Sequence, residues 1–459
     1  MRKWNAMIVL VFLVLLVAGG VMGNQIGKEE EKSGTVNESA CEKIVMLVPG
    51  EEPENWTSVQ EEMNMIFRQE ADVEVEIIFE ELDLLKNTAS RMLVGNQQLD
   101  LMVAAGAGSF QQFLTAGQVV ELDELLAENG EEILALTEPE LLNECSVKGK
   151  IYGIPSQLNY GITENCWILN KDILERNGIA PEDITGMEQL ESVFEKIHQK
   201  EPDITIVQTM DSGMLSNLKY FADDAVMPFG VLLEGEEEYI NLFTSSYYRE
   251  NVERVYRWFH RGYMSMSGAD MYMDLHEEMT NGSMLAYPVQ GIPGVLEKER
   301  EKCQGADFLC MVSLGETVKP GEYGSKAPWV ITTNTVDEKK AMEVLRLLYV
   351  NEELITLLPE ESFGGIRNIG QQALREELQT FNAACQEMPD TGFCFDITNV
   401  YGEYLECVEV YSKYKSLLES GVVEVADALK ELNKELEQAG INKVIREKNI
   451  QYRKFLRKK

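Results

Sequence analysis

Apolar and polar positions alternate along this chain in two rhythms. Ile44 to Val48 is a short continuous apolar run closed by Pro49-Gly50, the pattern of a strand buried on both faces. After a polar loop from Glu51 to Asn55, Val59, Met63, Ile66 and Phe67 recur at helical spacing. Val73 to Phe79 returns to strand alternation, Leu84 to Leu93 to a helix, and Leu99 to Ala105 to a third apolar strand. The β-α-β-α-β order predicts a largely parallel sheet with helices on its faces. In such sheets ligands bind beyond the carboxyl ends of the strands, which here lead into Pro49 to Trp56 and Gly106 to Ser109.

The stretch Val147 to Pro155 reads as a turn with Gly149 at its tip, followed by a short strand. Its backbone is freed at Gly153 and fixed again at Pro155. It suits either a crossing between two lobes or an ordinary β-hairpin. A strand from Tyr160 to Leu169 follows, and the same grammar restarts. Asn170 caps a short helix stopped at Gly178, and a helix turns Met187, Leu190, Phe194 and Ile197 inward. Ile204 to Gln208 is a strand running into Thr209 to Gly213, the helix Glu250 to His260 stops at Gly262, and Met284 to Tyr287 is a strand broken by Pro288. Pro328 to Thr332 forms another strand, Thr335 caps the next helix, and from Gln371 onward the chain is almost wholly helical, with stops at Gly421 and Gly440.

Length supports this division. A chain of 459 residues is too long for one core and suits two lobes. A net charge of -37 repels nucleic acid and anionic membrane surfaces, so nucleic-acid partners are set aside. Residues 1–23 carry Arg2 and Lys3 ahead of an apolar run from Ala6 to Ala18, with Val21 and Gly23 placed for cleavage. They read as an export signal or as an uncleaved amino-terminal anchor. Asn24 stands where a lipid-modified terminus would need cysteine. Residues 24–41 are polar and free of aromatics, a flexible tether. Eight cysteines are spread thinly; Cys303 with Cys310 and Cys385 with Cys394 are the candidate local pairs, and buried thiols are the alternative.

Searches for an enzyme's constellation return little. His198, His260 and His276 are scattered. There is no His-Glu-x-x-His pair, no Cys-x-x-Cys ligand pair, no Gly-x-Ser-x-Gly elbow and no phosphate loop. The residues call for no cofactor and no metal. The 78 acidic residues make any single carboxylate pair uninformative. Trp56, Tyr160, Tyr287 and Trp329, in contrast, fall at strand ends or loops that a two-lobe fold would turn toward its cleft, and an aromatic face suits a sugar ring. Ser109, Asn159 and Asp211 could supply oriented hydrogen bonds.

Lys148 to Pro155, followed by Leu169-Asn170-Lys171-Asp172-Ile173-Leu174 and Gly178-Ile179, resembles the hinge and second-lobe entry of extracellular solute-binding proteins of bacterial ABC importers. Leu99-Asp100-Leu101, Ala116 to Leu122, and Trp329-Val330-Ile331 with the helix containing Lys340-Ala341-Met342 add to the likeness. Gly392 to Asp396, Leu417 to Val423 and Ala439 to Ile445 look like the tail domain of the LipO-type branch, which carries a DUF3502-like domain. The resemblance implies a periplasmic-binding-protein-like α/β fold with discontinuous lobes and a helical carboxyl-terminal region. Three crossings, near Gln157, Ala286 and Thr332, would give one lobe from 42–157 plus 286–332 and another from 158–285 plus 333–459. It implies a monomeric receptor, tethered or secreted outside the cytoplasmic membrane, that closes on a small solute, a carbohydrate above all, and hands it to ABC permease subunits. Gly153 and Pro155 would act as hinge residues, and Trp56, Ser109, Asn159, Tyr160, Asp211, Tyr287 and Trp329 as ligand contacts. An exported glycan-acting enzyme and a ligand-presenting sensory protein remain alternatives at this point.

Overall fold

The computed structural model describes residues 41–106, 109–156, 161–208, 228–233, 235–264, 275–319, 327–359, 362–363 and 372–458. From Glu42 onward they form one compact unit containing two principal sheets.

β1 (Glu42–Pro49) buries Ile44 to Val48 without a break, as expected of a strand covered on both faces. Helix Trp56–Ala71 returns the chain to β2 (Val73–Glu80), which lies parallel to β1. Helix Leu82–Val94 leads to β3 (Leu101–Val103) on β1's other side. The buried Asp100 ties this region together. Its carboxylate accepts from the Val45 amide at 2.7 Å, the Thr335 hydroxyl at 2.8 Å and the Val336 amide at 2.8 Å. β4 (Ser146–Val147) and β5 (Lys150–Ile151) make a hairpin across Lys148 and Gly149, both at positive φ, the tight turn that favours glycine. β6 (Ile154–Pro155) then joins the first sheet.

The second sheet starts at β7 (Ile162–Asn170), and β8 (Thr205–Val207), β9 (Met284–Gly291), β10 (Leu309–Ser313) and β11 (Thr317–Lys319) all belong to it. β12 (Pro328–Ile331) returns to the first sheet, antiparallel between β3 and β6. Helix Glu338–Val350 packs in the first core, and β13 (Gln386–Glu387) completes the edge of the second sheet beside β11.

Sheet membership therefore changes between Pro155 and Ile162, between Lys319 and Pro328, and between Phe363 and Gln386. This corrects the expected lobe boundaries. Ala286 is not at a crossing: it lies inside β9, hydrogen-bonded on both sides to β7 and β8. Thr332 stays with the first sheet, its hydroxyl donating to the Leu99 carbonyl and its amide to the Asp100 carbonyl. The segment 286–319 belongs to the second sheet, and 338–358 to the first core.

Local expectations fare unevenly. Asn170 Oδ1 accepts from the Ile173 amide and caps helix Lys171–Arg176. The helix after β12 is capped by Asp337, because the Thr335 hydroxyl is engaged with Asp100. β9 continues through Pro288, since its pairing with β8 ends at Ala286. At the carboxyl terminus, helices Tyr401–Glu419, Val425–Ala439 and Ile441–Leu456 cover the second core, with Gly421 and Gly440 at positive φ in the breaks between them. The two candidate cysteine pairs are not joined. Cys310 Sγ donates to the Leu169 carbonyl, and Cys385 Sγ donates to the Phe381 carbonyl and fills the space beside Gly161.

Candidate functional site

The end of the first sheet where β1 and β3 run out collects unsatisfied polar groups. β1 runs out at Pro49-Gly50 and β3 at Ala104 to Gly106. β12 enters beside that end, with Trp329 paired to Val103 and Ala104 N–H donating to the Pro328 carbonyl at 2.8 Å. Gly50, at φ 124°, passes so close to Ser362 that a β-carbon there would lie 2.6 Å from the Ser362 hydroxyl. Phe363 stacks on Trp329 with ring centroids 5.6 Å apart and planes at 24°. Ser109 opens helix Ser109–Thr115 directly after β3, its amide donating to the Gly106 carbonyl.

Ser109 Oγ, Ser362 Oγ and Trp329 Nε1 are all buried and have no hydrogen-bond partner among the described residues. A buried polar group left unpaired costs roughly 1–3 kcal/mol. Three at one end of a sheet mark it as a place where the protein can gain by hydrogen-bonding something else. The set comprises two hydroxyls, able to donate or accept, and one donor-only indole beside an aromatic stack. A ligand bearing several hydroxyls and an apolar face matches it.

Of the sequence-predicted contacts, Trp329 and Ser109 come to this end of the sheet. Trp56 lies at the amino end of its helix near the same place, but it is committed inside the fold. Its ring meets Phe79 edge-on at 4.8 Å and its Nε1 donates to Gln60. Tyr287 is in the other sheet and wholly buried, its hydroxyl donating to Glu299 Oε2 at 2.6 Å. His276 Nε2 and Lys302 also bond that carboxylate, and these partners hold the Glu299 carboxyl down at about 2 against the cost of burial. Tyr287 is thus placed in the packing of the second sheet, away from the groups gathered around Trp329. Asn159, Tyr160 and Asp211 lie outside the described residues.

Gly153 stands at a close approach of two strands. Its φ is not positive; a β-carbon would sit 2.9 Å from Pro328 Cβ and 3.3 Å from the Phe110 ring. A side chain there would crowd the place where β6 passes β12. Pro155 beside it is anchored by Tyr349, whose hydroxyl donates to its carbonyl at 2.7 Å. Ser362 and Phe363 were missed from sequence; only the run of small residues around them hinted at a close approach.

Comparison with known proteins adds to this geometry. Residues 389–457 match a domain of unknown function, DUF3502. A carbohydrate ABC transporter substrate-binding protein of Streptococcus pneumoniae is 22% identical over the full length of both chains. The N-glycan transport solute binding protein NgtS of S. pneumoniae superposes with a TM-score of 0.74 at 20% identity, covering 91% of this chain and 99% of that one. The fold is a mixed α/β, periplasmic-binding-protein-like one. A maltose-bound MalE3 of T. maritima also aligns over 86% of this chain and 99% of its own, with a TM-score of 0.56 at 16% identity. Trp329, Ser109 and Ser362 lie by the ends of β12, β3 and β1, and strand ends are where open α/β sheets bind ligands.

Proposed function

We propose that this protein is an exported, monomeric receptor that captures an oligosaccharide between its two lobes and delivers it to ABC permease subunits, without chemical turnover. The observation that carries the proposal is the set of unpartnered groups Ser109 Oγ, Ser362 Oγ and Trp329 Nε1 around the Trp329–Phe363 stack. The full-length likeness to a carbohydrate substrate-binding protein supports it, as do the related NgtS structures with Man1GlcNAc and Man5GlcNAc. Closure follows from linkage: ligand favours whichever lobe arrangement offers contacts from both sides. Asn159, Tyr160 and Asp211 remain proposed contacts.

The test is a thermal-shift and calorimetric screen against maltooligosaccharides and mannose-N-acetylglucosamine glycans. One class is expected to raise the melting temperature, since ligand at 100-fold its Kd stabilises by about 2.7 kcal/mol. Trp329→Phe keeps a ring in the stack and removes the indole donor, so affinity for that class should fall about tenfold, the worth of one hydrogen bond. Silence across the whole panel would count against a sugar receptor. Undiminished binding by a folded Trp329→Phe would move the site elsewhere.

A further inference from the structure

Two cysteines far apart in sequence lie on segments that the fold presses together. Helix Pro139–Glu144 ends at Cys145, whose side chain is fully buried in the first core and whose carbonyl accepts from the Tyr152 amide at 3.1 Å. Leu141 of the same helix packs against Ile162 and Val318 of the second sheet, so this arm already reaches across the two lobes. The facing segment, 390–396, carries Cys394 between Phe393 and Phe395, both in the second core.

Contacts bracket the two sulfurs. Before Cys394, the Gly392 amide donates to the buried Glu144 Oε1 at 3.2 Å, and a β-carbon on Gly392 would lie 3.9 Å from the Glu140 backbone. After it, Asp396 Oδ2 pairs with Lys148 Nζ at 3.4 Å. The two segments thus touch at 140 and 144 against 392, and at 148 against 396. Cys145 and Cys394 fall between those contacts. Burial raises the Cys145 thiol well above its ordinary value, with Cys394 and Glu144 pushing the same way.

We propose that Cys145 and Cys394, both thiols in this structure, are joined on oxidation by a disulfide that staples the arm of the first lobe to the carboxyl-terminal part of the second. This replaces the local Cys385–Cys394 pairing suggested by sequence spacing. Cys394, the more exposed of the two, attacks an external disulfide and releases one of its sulfurs as a thiolate. Cys145 then attacks the Cys394 sulfur in the mixed disulfide and expels the second sulfur. The protein's two thiols lose two protons and two electrons, and the external disulfide is reduced to a dithiol. The raised Cys145 thiol makes this second step slow in the folded state.

The test uses the full chain refolded in a buffer of oxidised and reduced glutathione, so that its outcome does not depend on where the protein resides. The chain is denatured without reductant, alkylated and digested. The peptides bearing Cys145 and Cys394 should appear as one linked species that separates on reduction. Cys145→Ser should leave Cys394 newly alkylated and shift no other cysteine. Recovery of both peptides fully alkylated, or of Cys394 linked to any other cysteine, would overturn the proposal. Loss of sugar binding with the staple intact would instead speak against the receptor function alone.

Discussion

Glu419 offers a perturbation whose sign and size can be worked out. It ends helix Tyr401–Glu419, is 7% exposed, and has one carboxylate oxygen bonded by the Tyr411 hydroxyl at 3.0 Å while the other has no partner among the described residues. Burial lifts its carboxyl from 4.5 to about 7, outweighing the opposing pull of Lys415 and the Tyr411 bond. The hydroxyl of Tyr248 faces the same site, and neither tyrosine carries charge at neutral pH because burial raises both well above their ordinary values. Below pH 4.5 the acid is neutral in folded and unfolded chains alike, and its contribution is at its most favourable. As pH rises from 4.5 to 7 the unfolded chain releases this proton while the folded one keeps it, so stability falls. Above 7 the loss is complete, and the difference amounts to roughly 3 kcal/mol. Glu419→Gln mimics the neutral acid at every pH. Urea unfolding at fixed ionic strength should find variant and parent alike at pH 4, and the variant more stable by about 3 kcal/mol at pH 8. Taking the difference cancels every other titrating group. A difference that stays flat from pH 4 to 8, or grows in the opposite direction, would refute the reasoning.

Other substitutions test the frame around the site. Gly153→Val places a branched side chain against Pro328 and Phe110, and overpacking of this kind costs about 1–3 kcal/mol, to be read as a lower urea midpoint with an unchanged slope. Asp100→Asn turns an acceptor that serves the Val45 and Val336 amides into a group that also carries donors. Denaturation should register a loss of about 2–3 kcal/mol, and hydrogen exchange should quicken at both amides.

The parallel half of the first sheet is legible in sequence because burial on both faces leaves an uninterrupted apolar run, as in Ile44 to Val48. The exchange of strands between sheets is not. Alternation in β9 or β12 says that a strand exists, but its neighbours are chosen by residues more than a hundred positions away, as when Trp329 pairs with Ile154. The site shows the same division. Trp329 and Ser109 could be picked out because they stand next to strand ends. Tyr287 looks identical by that criterion and is held inside by Glu299, a partner on the next helix that periodicity does not connect to it. Ser362 joins the set only through its approach to Gly50, a contact with no local signature.

The late return of β12 to the first sheet has a bearing on how the chain acquires its structure. β6 and β3 have no strand between them until Pro328 to Ile331 arrives, and β7 to β11 of the second sheet are synthesised first. The first core therefore cannot finish before most of the second has left the ribosome, and the long loop that must close makes the pairing slow. An amino-terminal half that stays incomplete for so long is a half that remains threadable: the connectivity itself delays folding and prolongs the interval in which the chain can still pass through a narrow channel.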